Sequence, residues 1–291
     1  MKSFLIAASL VAIGAPALAL APEAAWKKDI ADTNKAYTVA AHAILKIQDA
    51  AYLGEGNSAS LVGQRGVPGS YKWAQGEQPD AIVIAAFSGG KAVLKKDGKT
   101  LANSLADLAV DKDVDVQAYP TQVQAGVPGI RVFVYNQENP AIKAFKGVDY
   151  FPYSPAYIVT AGFTPDPKLP ARSFITSRRT SKQFYRAGVA HFTLQGRQFD
   201  LPFYADTNDP KKITALSAFF TDELTGKGAY GAGRYVDSPD LKSFPPKQFK
   251  IDFNYAYNPN CARSAFFTCP VAVDHVALAV SAGERDPHLH H

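Results

Sequence analysis

Short apolar and aromatic segments, separated by turn residues, recur along most of the 291-residue chain and limit its fold more than any other feature. Residues 130–135, IRVFVY, have the strongest strand-forming composition of the first half. About eleven such segments occur, at spacings of roughly eight to twenty residues. Those before residue 221 are 81–87, 92–95, 114–118, 130–135, 157–163, 173–177, 187–194, 197–204 and 213–220. Because parallel strands need long helical crossovers, the sequence predicts a mainly β fold, either an antiparallel β-sandwich or a partly closed barrel.

One α-helix is predicted ahead of the strands, over residues 22–53. Apolar side chains recur there at three- and four-residue steps from Ala24 to Ile47, and neither Gly nor Pro interrupts them before Gly54. Pro22 suits the first helical turn, where its missing N–H leaves no hydrogen bond unmade. We expect this helix to brace a sheet.

The remaining residues, 54–291, are predicted to form one β-rich region. Its first part, 54–76, is rich in glycine and is predicted as loops and turns. Three prolines make residues 164–171 the best candidate for a boundary within the region. Residues 226–231 match the glycine spacing of dinucleotide-binding turns, but an extended segment follows them where that motif needs a helix. No cofactor is therefore predicted.

The first 21 residues have the features of a secretory signal peptide. Lys2 supplies a positive charge, residues 4–13 are apolar, and small residues at 17–21 form cleavage sites of the A-x-A type. The apolar run is too short to span a bilayer, and no second segment is long enough. We expect a periplasmic or secreted protein without stable membrane insertion.

Charge argues against a nucleic-acid partner. The net charge is +5, and Lys and Arg are scattered, with only short pairs such as Lys95-Lys96. Nucleic-acid binding needs a dense basic stripe, whereas scattered charges are typical of a solvated surface. No sequence feature specifies an oligomeric state.

Both cysteines, Cys261 and Cys269, lie in the C-terminal third. In an exported protein such a pair favours a disulfide, which would stabilise the fold by roughly 2–3 kcal/mol on the chain-entropy model. Two free thiols and a metal site are the alternatives. The spacing differs from the C-x-x-C of zinc sites, so no metal is predicted.

A polar face is predicted near the cysteines. Asp252 and Asn254 are two residues apart on an apparent strand, so both side chains point to one face, and Arg234 is a suitable partner. Buried polar groups need partners, either within the protein or from a ligand. One interpretation is a structural network, and the other is a site for a small polar or anionic ligand. The predicted ligand-binding residues are Arg234, Asp252, Asn254, Tyr257 and Asn258.

An enzyme is the alternative to a binding module, and a purely structural or interaction protein is the third hypothesis. Neither G-x-S-x-G nor H-E-x-x-H occurs in the chain. A hydrolase-like site would have to use a carboxylate with a histidine as general base. The candidate catalytic residues are Asp252, His275 and Glu284.

Several short motifs of the C-terminal third carry a family resemblance. They are Tyr230-Gly231-Ala232-Gly233-Arg234-Tyr235, Asp252-Phe253-Asn254, Ala256-Tyr257-Asn258-Pro259, Cys261-Ala262, Phe267, Cys269-Pro270 and Ala282-Gly283-Glu284. Further upstream, similar blocks are Phe145-Lys146-Gly147, Tyr150-Phe151-Pro152 and Pro155-Ala156-Tyr157. With these motifs the chain resembles a family of bacterial and archaeal proteins known as domain of unknown function 1684 (DUF 1684). The resemblance covers most of the chain after residue 21 and implies a location for a site without implying a reaction.

Two positions depart from the family pattern. Residues 272–275 read Ala-Val-Asp-His, where the family commonly has prolines and a Glu-Asn pair. Arg263 stands where an aromatic residue is usual. The resemblance therefore implies no mechanism through these positions.

Overall fold

The computed structural model describes residues 22–288, so the predicted signal peptide, 1–21, lies outside the described residues. The helices are α1 (Pro22–Thr38) and α2 (Pro140–Ala144). The strands are β1 (Ile47–Leu53), β2 (Ser58–Val62), β3 (Lys72–Gln75), β4 (Val83–Ser88), β5 (Lys91–Lys96), β6 (Lys99–Thr100), β7 (Leu108–Asp111), β8 (Val114–Gln124), β9 (Val127–Asn136), β10 (Ile158–Pro165), β11 (Ala171–Ile175), β12 (Ser181–Leu194), β13 (Arg197–Ala205), β14 (Ser217–Asp222), β15 (Arg234–Asp237), β16 (Gln248–Asp252) and β17 (Asp274–Val276).

Two sheets pack face to face in the N-terminal half. One has the order β1-β9-β8-β7 and the other β3-β2-β4-β5-β6. Alternate residues of β4, β8 and β9 point inwards, and Val83, Val116 and Val132 are fully buried between the layers. This alternation is the reason why these segments form strands rather than helices.

A larger sheet forms the C-terminal half, with the order β15-β14-β13-β12-β10-β16. Strand β11 pairs with β12, and the short β17 pairs in parallel with β14. Phe203, Ile251 and Phe253 are fully buried in its main core. Sandwich-like antiparallel sheets with an N-terminal helix confirm the predicted fold class.

The predicted helix over residues 22–53 is wrong in its second half. Helix α1 ends at Thr38, and residues 47–53 form β1, which pairs with β9. The local composition, IQDAAYL, suits a helix. Pairing with the strongly strand-forming β9 overrides that preference, because β9 offers a full row of backbone partners.

The glycine-rich segment 54–76 contains two strands as well as turns. Strand β2 lies in the middle of its sheet, between β3 and β4. The proline-rich segment 164–171 lies within the larger sheet, between β10 and β11. The division of the chain into domains stays a prediction.

The two halves meet at an aromatic junction. The ring of Phe267, from the cysteine segment, lies 5.2 Å from Phe133 of β9, and the guanidinium of Arg131 lies over both rings. Ile44 and Leu45, which precede β1, are buried in the same cluster. This junction fixes the segment after Asn258 against the N-terminal sheets and so positions the site described next.

Candidate functional site

Arg234 is a fully buried arginine with a complete set of partners. Its Nη2 donates to Asp222 Oδ2 at 2.7 Å and to the carbonyl of Val280 at 2.9 Å. Its Nη1 donates to the carbonyls of Ala282 and Glu284. The side chains of Arg234 and Asp222 are 1% and 0% exposed. Arg234 therefore clamps the C-terminal segment 280–284 onto β14 and β15.

Asp252 and Asn254 form a separate network, so the prediction that Arg234 partners them on one face is wrong. Strand β16 ends at Asp252, whose Oδ1 accepts hydrogen bonds from Asn254 N and Nδ2 at 2.9 and 2.8 Å. The Asn254 side chain also bonds the backbone N–H and carbonyl of Ser154. The indole of Trp26 donates to Asn254 O at 2.9 Å, which joins α1 to this network.

Tyr257 and Asn258 also bond within the protein. Tyr257 pairs through its backbone with Tyr235, and its hydroxyl donates to Asp237 at 3.1 Å. Asn258 is buried, and its Nδ2 donates to Arg285 O at 2.7 Å. None of the five predicted ligand-binding residues is among those that line the cavity described below, but Asn258 bonds the backbone of Arg285, which does line it. Their role in ligand binding stays a prediction.

The candidate catalytic residues have no hydrogen-bond partner in common. Glu284 is 1% exposed and accepts from Arg263 Nη2 at 2.6 Å, from Asn258 N at 2.8 Å and from the Tyr150 hydroxyl at 3.3 Å. His275 is exposed, and its Nδ1 lies 3.0 Å from the Thr221 hydroxyl. Asp252 caps the turn after β16. The structure does not bring the three together.

The predicted disulfide is wrong, because both cysteines are free and their sulfurs are not at bonding distance. The Sγ of Cys269 accepts a hydrogen bond from the backbone N–H of Cys261 at 3.3 Å. The Cys269 segment is fixed instead by backbone bonds between Ser177 N and Cys269 O and between Val271 N and Ile175 O. The Tyr235 hydroxyl adds a bond to Pro270 O.

A cavity of about 550 Å³ lies where the segment after α2 meets the C-terminal segment. Arg285 N donates to Asp149 O at 2.9 Å and Phe151 N donates to Gly283 O at 2.9 Å, so these two segments are joined by their backbones. Gly283 has a φ of 79°, and a Cβ there would lie 2.4 Å from Ala256 O. The cavity is lined by Leu45, Ala141, Ala144, Phe145, Lys146, Gly147, Val148, Asp149, Ala262, Arg263, Arg285, Pro287 and His288.

Arg263 is the central charged residue of this cavity. Its side chain is 5% exposed, and its guanidinium lies 5.1 Å from the centre of the Tyr37 ring. Burial is the largest single influence on the pKa of Arg263 and acts to lower it, but the charge and hydrogen bond of Glu284, together with Tyr37 and Tyr150, outweigh burial and raise this pKa above its ordinary value. Nη1 is buried and has no hydrogen-bond partner. An unpaired buried donor is costly, which makes this atom the most conspicuous unfilled position in the cavity.

Two more cationic residues line the cavity with Arg263. Arg285 lies 3.4 Å from Asp149, its guanidinium stacks over the Phe151 ring at 5.4 Å, and its buried Nε lacks a partner. Lys146 lines the same cavity. Three cations, Lys146, Arg263 and Arg285, and one carboxylate, Asp149, therefore line the cavity. Glu284 pairs with Arg263 but is not among the lining residues. An anion with an apolar portion suits this lining.

The sequence contained a signal for Arg263 but none for the cavity. Arg263 was marked by its departure from the family pattern, because an aromatic residue is usual there. Nothing in the sequence relates Lys146 to Arg285, which are 139 positions apart in the chain. Only the pairing of segment 149–151 with 283–285 brings them to one cavity.

Two findings concern membranes and metals. Among residues 22–288, no helix has both the length and the apolar character required to cross a membrane. Within the same residues, no group of three or more His, Cys, Asp or Glu side chains is arranged to hold a metal ion.

Residues 143–285 match the family described as Protein of unknown function (DUF1684). Among solved structures, an uncharacterized protein of Haloarcula marismortui, determined by solution NMR, is 30% identical. The match covers 51% of this chain and 80% of that chain, with a TM-score of 0.43. No curated protein matches the chain. The family match contains most of the residues that line the cavity.

Proposed function

Because the chain belongs, through residues 143–285, to the DUF1684 family, whose function is unknown, we propose a function from the cavity itself. The proposed function is that of a binding module for a small anionic ligand. The observation that carries the proposal is the unpaired Nη1 of Arg263, a residue nine-tenths buried that lines the cavity. A carboxylate or phosphate oxygen is the partner that a guanidinium N–H binds best.

The position of Arg263 suits recognition rather than structure alone. Glu284 accepts from Nη2 of Arg263 at 2.6 Å and leaves the Nη1 donor without a partner, so the fold does not use the full donor capacity of this guanidinium. Arg285 Nε, also without a partner, provides a second donor from the opposite segment. Two donors on separate guanidinium groups can hold two oxygens of one carboxylate or phosphate.

The apolar residues of the cavity indicate that the rest of the ligand is apolar. Leu45, Phe145, Val148 and Pro287 face the same cavity as the cations. A volume of about 550 Å³ lies within the usual size range of small-molecule sites. The proposed ligand is therefore a carboxylate or phosphate ester with a compact apolar body. The predicted signal peptide would place the protein in the periplasm or outside the cell, so the ligand would be met there.

Thermal unfolding with phenyl phosphate as the probe tests this proposal. Binding to the folded state alone raises stability by about 2.7 kcal/mol when the free ligand is a hundredfold above its Kd. We expect the melting temperature to rise with the phenyl phosphate concentration and to stay constant with the uncharged analogue benzyl alcohol. Benzoate is expected to act in the same direction as phenyl phosphate.

Two variants and a matched control decide where the probe binds. Arg285→Gln removes the unpaired Nε, and Arg263→Lys keeps a charge beside Glu284 but loses the planar fork. Both are expected to remove the rise in melting temperature. Arg65→Gln changes an exposed arginine paired with Asp97 at 3.5 Å and is expected to keep it. An equal rise in all four proteins, or none in the unmodified protein, would contradict the proposal and leave water as the partner of Nη1.

A further inference from the structure

A hydrogen-bonded line of hydroxyl, imidazole and carboxylate lies on the exposed face of the larger sheet. His191 of β12 has its Nδ1 at 2.6 Å from Asp200 Oδ1 and its Nε2 at 2.9 Å from Thr164 Oγ1. With the carboxylate accepting, Nδ1 carries the proton and Nε2 accepts from the threonine hydroxyl. This is the connectivity of a nucleophile, a general base and an orienting carboxylate.

Strand register places His191 and Asp200 in one row across the sheet, together with Gly162. Gly162 of β10 pairs with His191, and His191 pairs with Asp200 of β13, so the three positions lie side by side on one face. On the other side, Gly162 pairs with Gln248 of β16. The alternation of side chains along β-strands points these residues away from the core, and all are exposed.

Gly162 leaves a slot in the row. A Cβ built at Gly162 would meet no atom within 4 Å. Neighbouring strands lie about 4.8 Å apart, so the positions of Gln248 and His191 are separated by roughly 10 Å with no side chain between them. Thr164 lies next along the same face of β10. An acyl group placed over Gly162 would lie on the same face as the Thr164 hydroxyl, two residues along the strand.

We propose that Thr164, His191 and Asp200 form an esterase site for small, exposed acyl esters, with Gly162 as the floor of the substrate slot. Thr164 Oγ1 attacks the ester carbonyl carbon as its proton passes to His191 Nε2. The tetrahedral intermediate collapses, the C–O bond to the alcohol breaks, and His191 returns the proton to the departing alcohol. This leaves an acyl-Thr164 ester.

Water completes the cycle. His191 takes a proton from water, the resulting hydroxide oxygen attacks the acyl carbon, and the bond to Thr164 Oγ1 breaks as His191 returns the proton to that oxygen. The products are a carboxylic acid and the free threonine. Asp200 is a positioning residue, because it contacts the imidazole and not the substrate. Gln248 lies across the slot, where its side-chain amide can donate to the developing oxyanion.

Hydrolysis of p-nitrophenyl acetate by the purified protein tests the site. His191→Gln is expected to lower kcat by about a hundredfold or more, the usual contribution of general acid–base catalysis. Thr164→Val removes the nucleophile and is expected to lower kcat at least as much. Thr164→Ser keeps a hydroxyl and is expected to retain turnover. Asp200→Asn is expected to lower kcat while KM and the melting temperature stay unchanged, an effect that a merely structural residue would not have.

Matched controls come from the same chain. Thr160→Val removes a hydroxyl from the same face of β10, and His42→Gln alters another imidazole that lies near a carboxylate, 3.7 Å from Asp107. Both are expected to leave the rate unchanged. Gly162→Ile fills the slot and is expected to abolish turnover, because the substrate can no longer enter it. The fold should tolerate this change, because isoleucine is favoured in strands and a Cβ at this position meets no atom within 4 Å.

Mass spectrometry identifies the nucleophile, because the peptide that contains Thr164 should carry one acetyl group after rapid quenching. A rate lost in His191→Gln but kept in Thr164→Val would overturn the proposal, since the imidazole would then act without the threonine. The absence of hydrolysis above the buffer rate in the unmodified protein would overturn it as well.

Discussion

Two buried arginines in the C-terminal third are paired with buried carboxylates in nearly the same way. Arg234 lies 2.7 Å from Asp222, and Arg263 lies 2.6 Å from Glu284. Both pairs are at least nine-tenths buried. They differ in what surrounds the guanidinium, because Arg234 donates to three backbone carbonyls as well, whereas Arg263 leaves Nη1 without a partner.

That difference separates a structural arginine from the one that we propose for ligand recognition. The partners of Arg234 all come from segments that must be held together, so the residue joins the chain end to the sheet. Arg263 lines a cavity and has donor capacity that the fold does not use. Buried ion pairs as such say little about function, and an unused donor beside a cavity says more.

The largest effect is expected for Arg234→Met, which leaves Asp222 buried without a cation. Removing one partner of a buried ion pair costs about 3–5 kcal/mol. Urea unfolding measures this loss directly. The double variant Arg234→Met/Asp222→Asn is expected to recover part of it, because no unpaired charge then remains. A loss of less than about 1 kcal/mol in the single variant would show that the pair is not structural.

A smaller loss, about 1–3 kcal/mol, is expected for Arg263→Met. Glu284 retains hydrogen bonds from Asn258 N and Tyr150, and water in the adjoining cavity can reach the space that the guanidinium leaves. The same urea titration checks the value. Equal losses in Arg263→Met and Arg234→Met would remove the distinction between the two arginines.

Ionic strength is expected to separate the two sites further. The Arg285 side chain is 37% exposed, so raising the salt concentration should weaken phenyl phosphate binding at the cavity. The Arg234–Asp222 pair is closed to solvent and should contribute the same stability at both salt concentrations. Isothermal titration at low and high potassium chloride, with parallel unfolding of Arg234→Met, measures both. Salt-independent binding would contradict an anion site.

The smallest effect concerns the turn that carries Arg263. A hydrogen bond from Cys269, with others from Ser177 and Tyr230, lowers the pKa of Cys261 from 9.0 to about 6, whereas that bond raises the pKa of Cys269. Alkylation by iodoacetamide is expected at Cys261 first, with a midpoint near pH 6. Any stabilisation from the depressed pKa is present above pH 9 and is lost as the pH falls towards 6. A midpoint near 9 would contradict this environment.

Much of the fold could be predicted because strands leave a local signal. Predicted strand 130–135 lies inside β9, and predicted strands 187–194 and 197–204 lie within β12 and β13. The Gln195-Gly196 turn between them has positive φ at both residues, as a tight hairpin requires. The missed strand β1 shows the limit, since its partner lies about eighty residues further along the chain.

The candidate site was less predictable, for a different reason. Asp252 bonds Asn254 two residues along the chain, but Arg234 bonds Asp222 and Asn254 also bonds Ser154, which local spacing does not relate to them. The cysteines failed as a disulfide because orientation, which sequence distance does not specify, turns Cys269 Sγ towards a backbone N–H.

The sequence by itself determined the mainly antiparallel β class, the presence of an N-terminal helix and the family of the C-terminal half, because these depend on local composition, periodicity and motifs. The tertiary structure alone decided which arginine is satisfied. Hydrogen bonds are short and directional, so the pairing of segment 149–151 with 283–285 and the packing of Phe267 on Phe133 determine which donors of Arg263 remain unused.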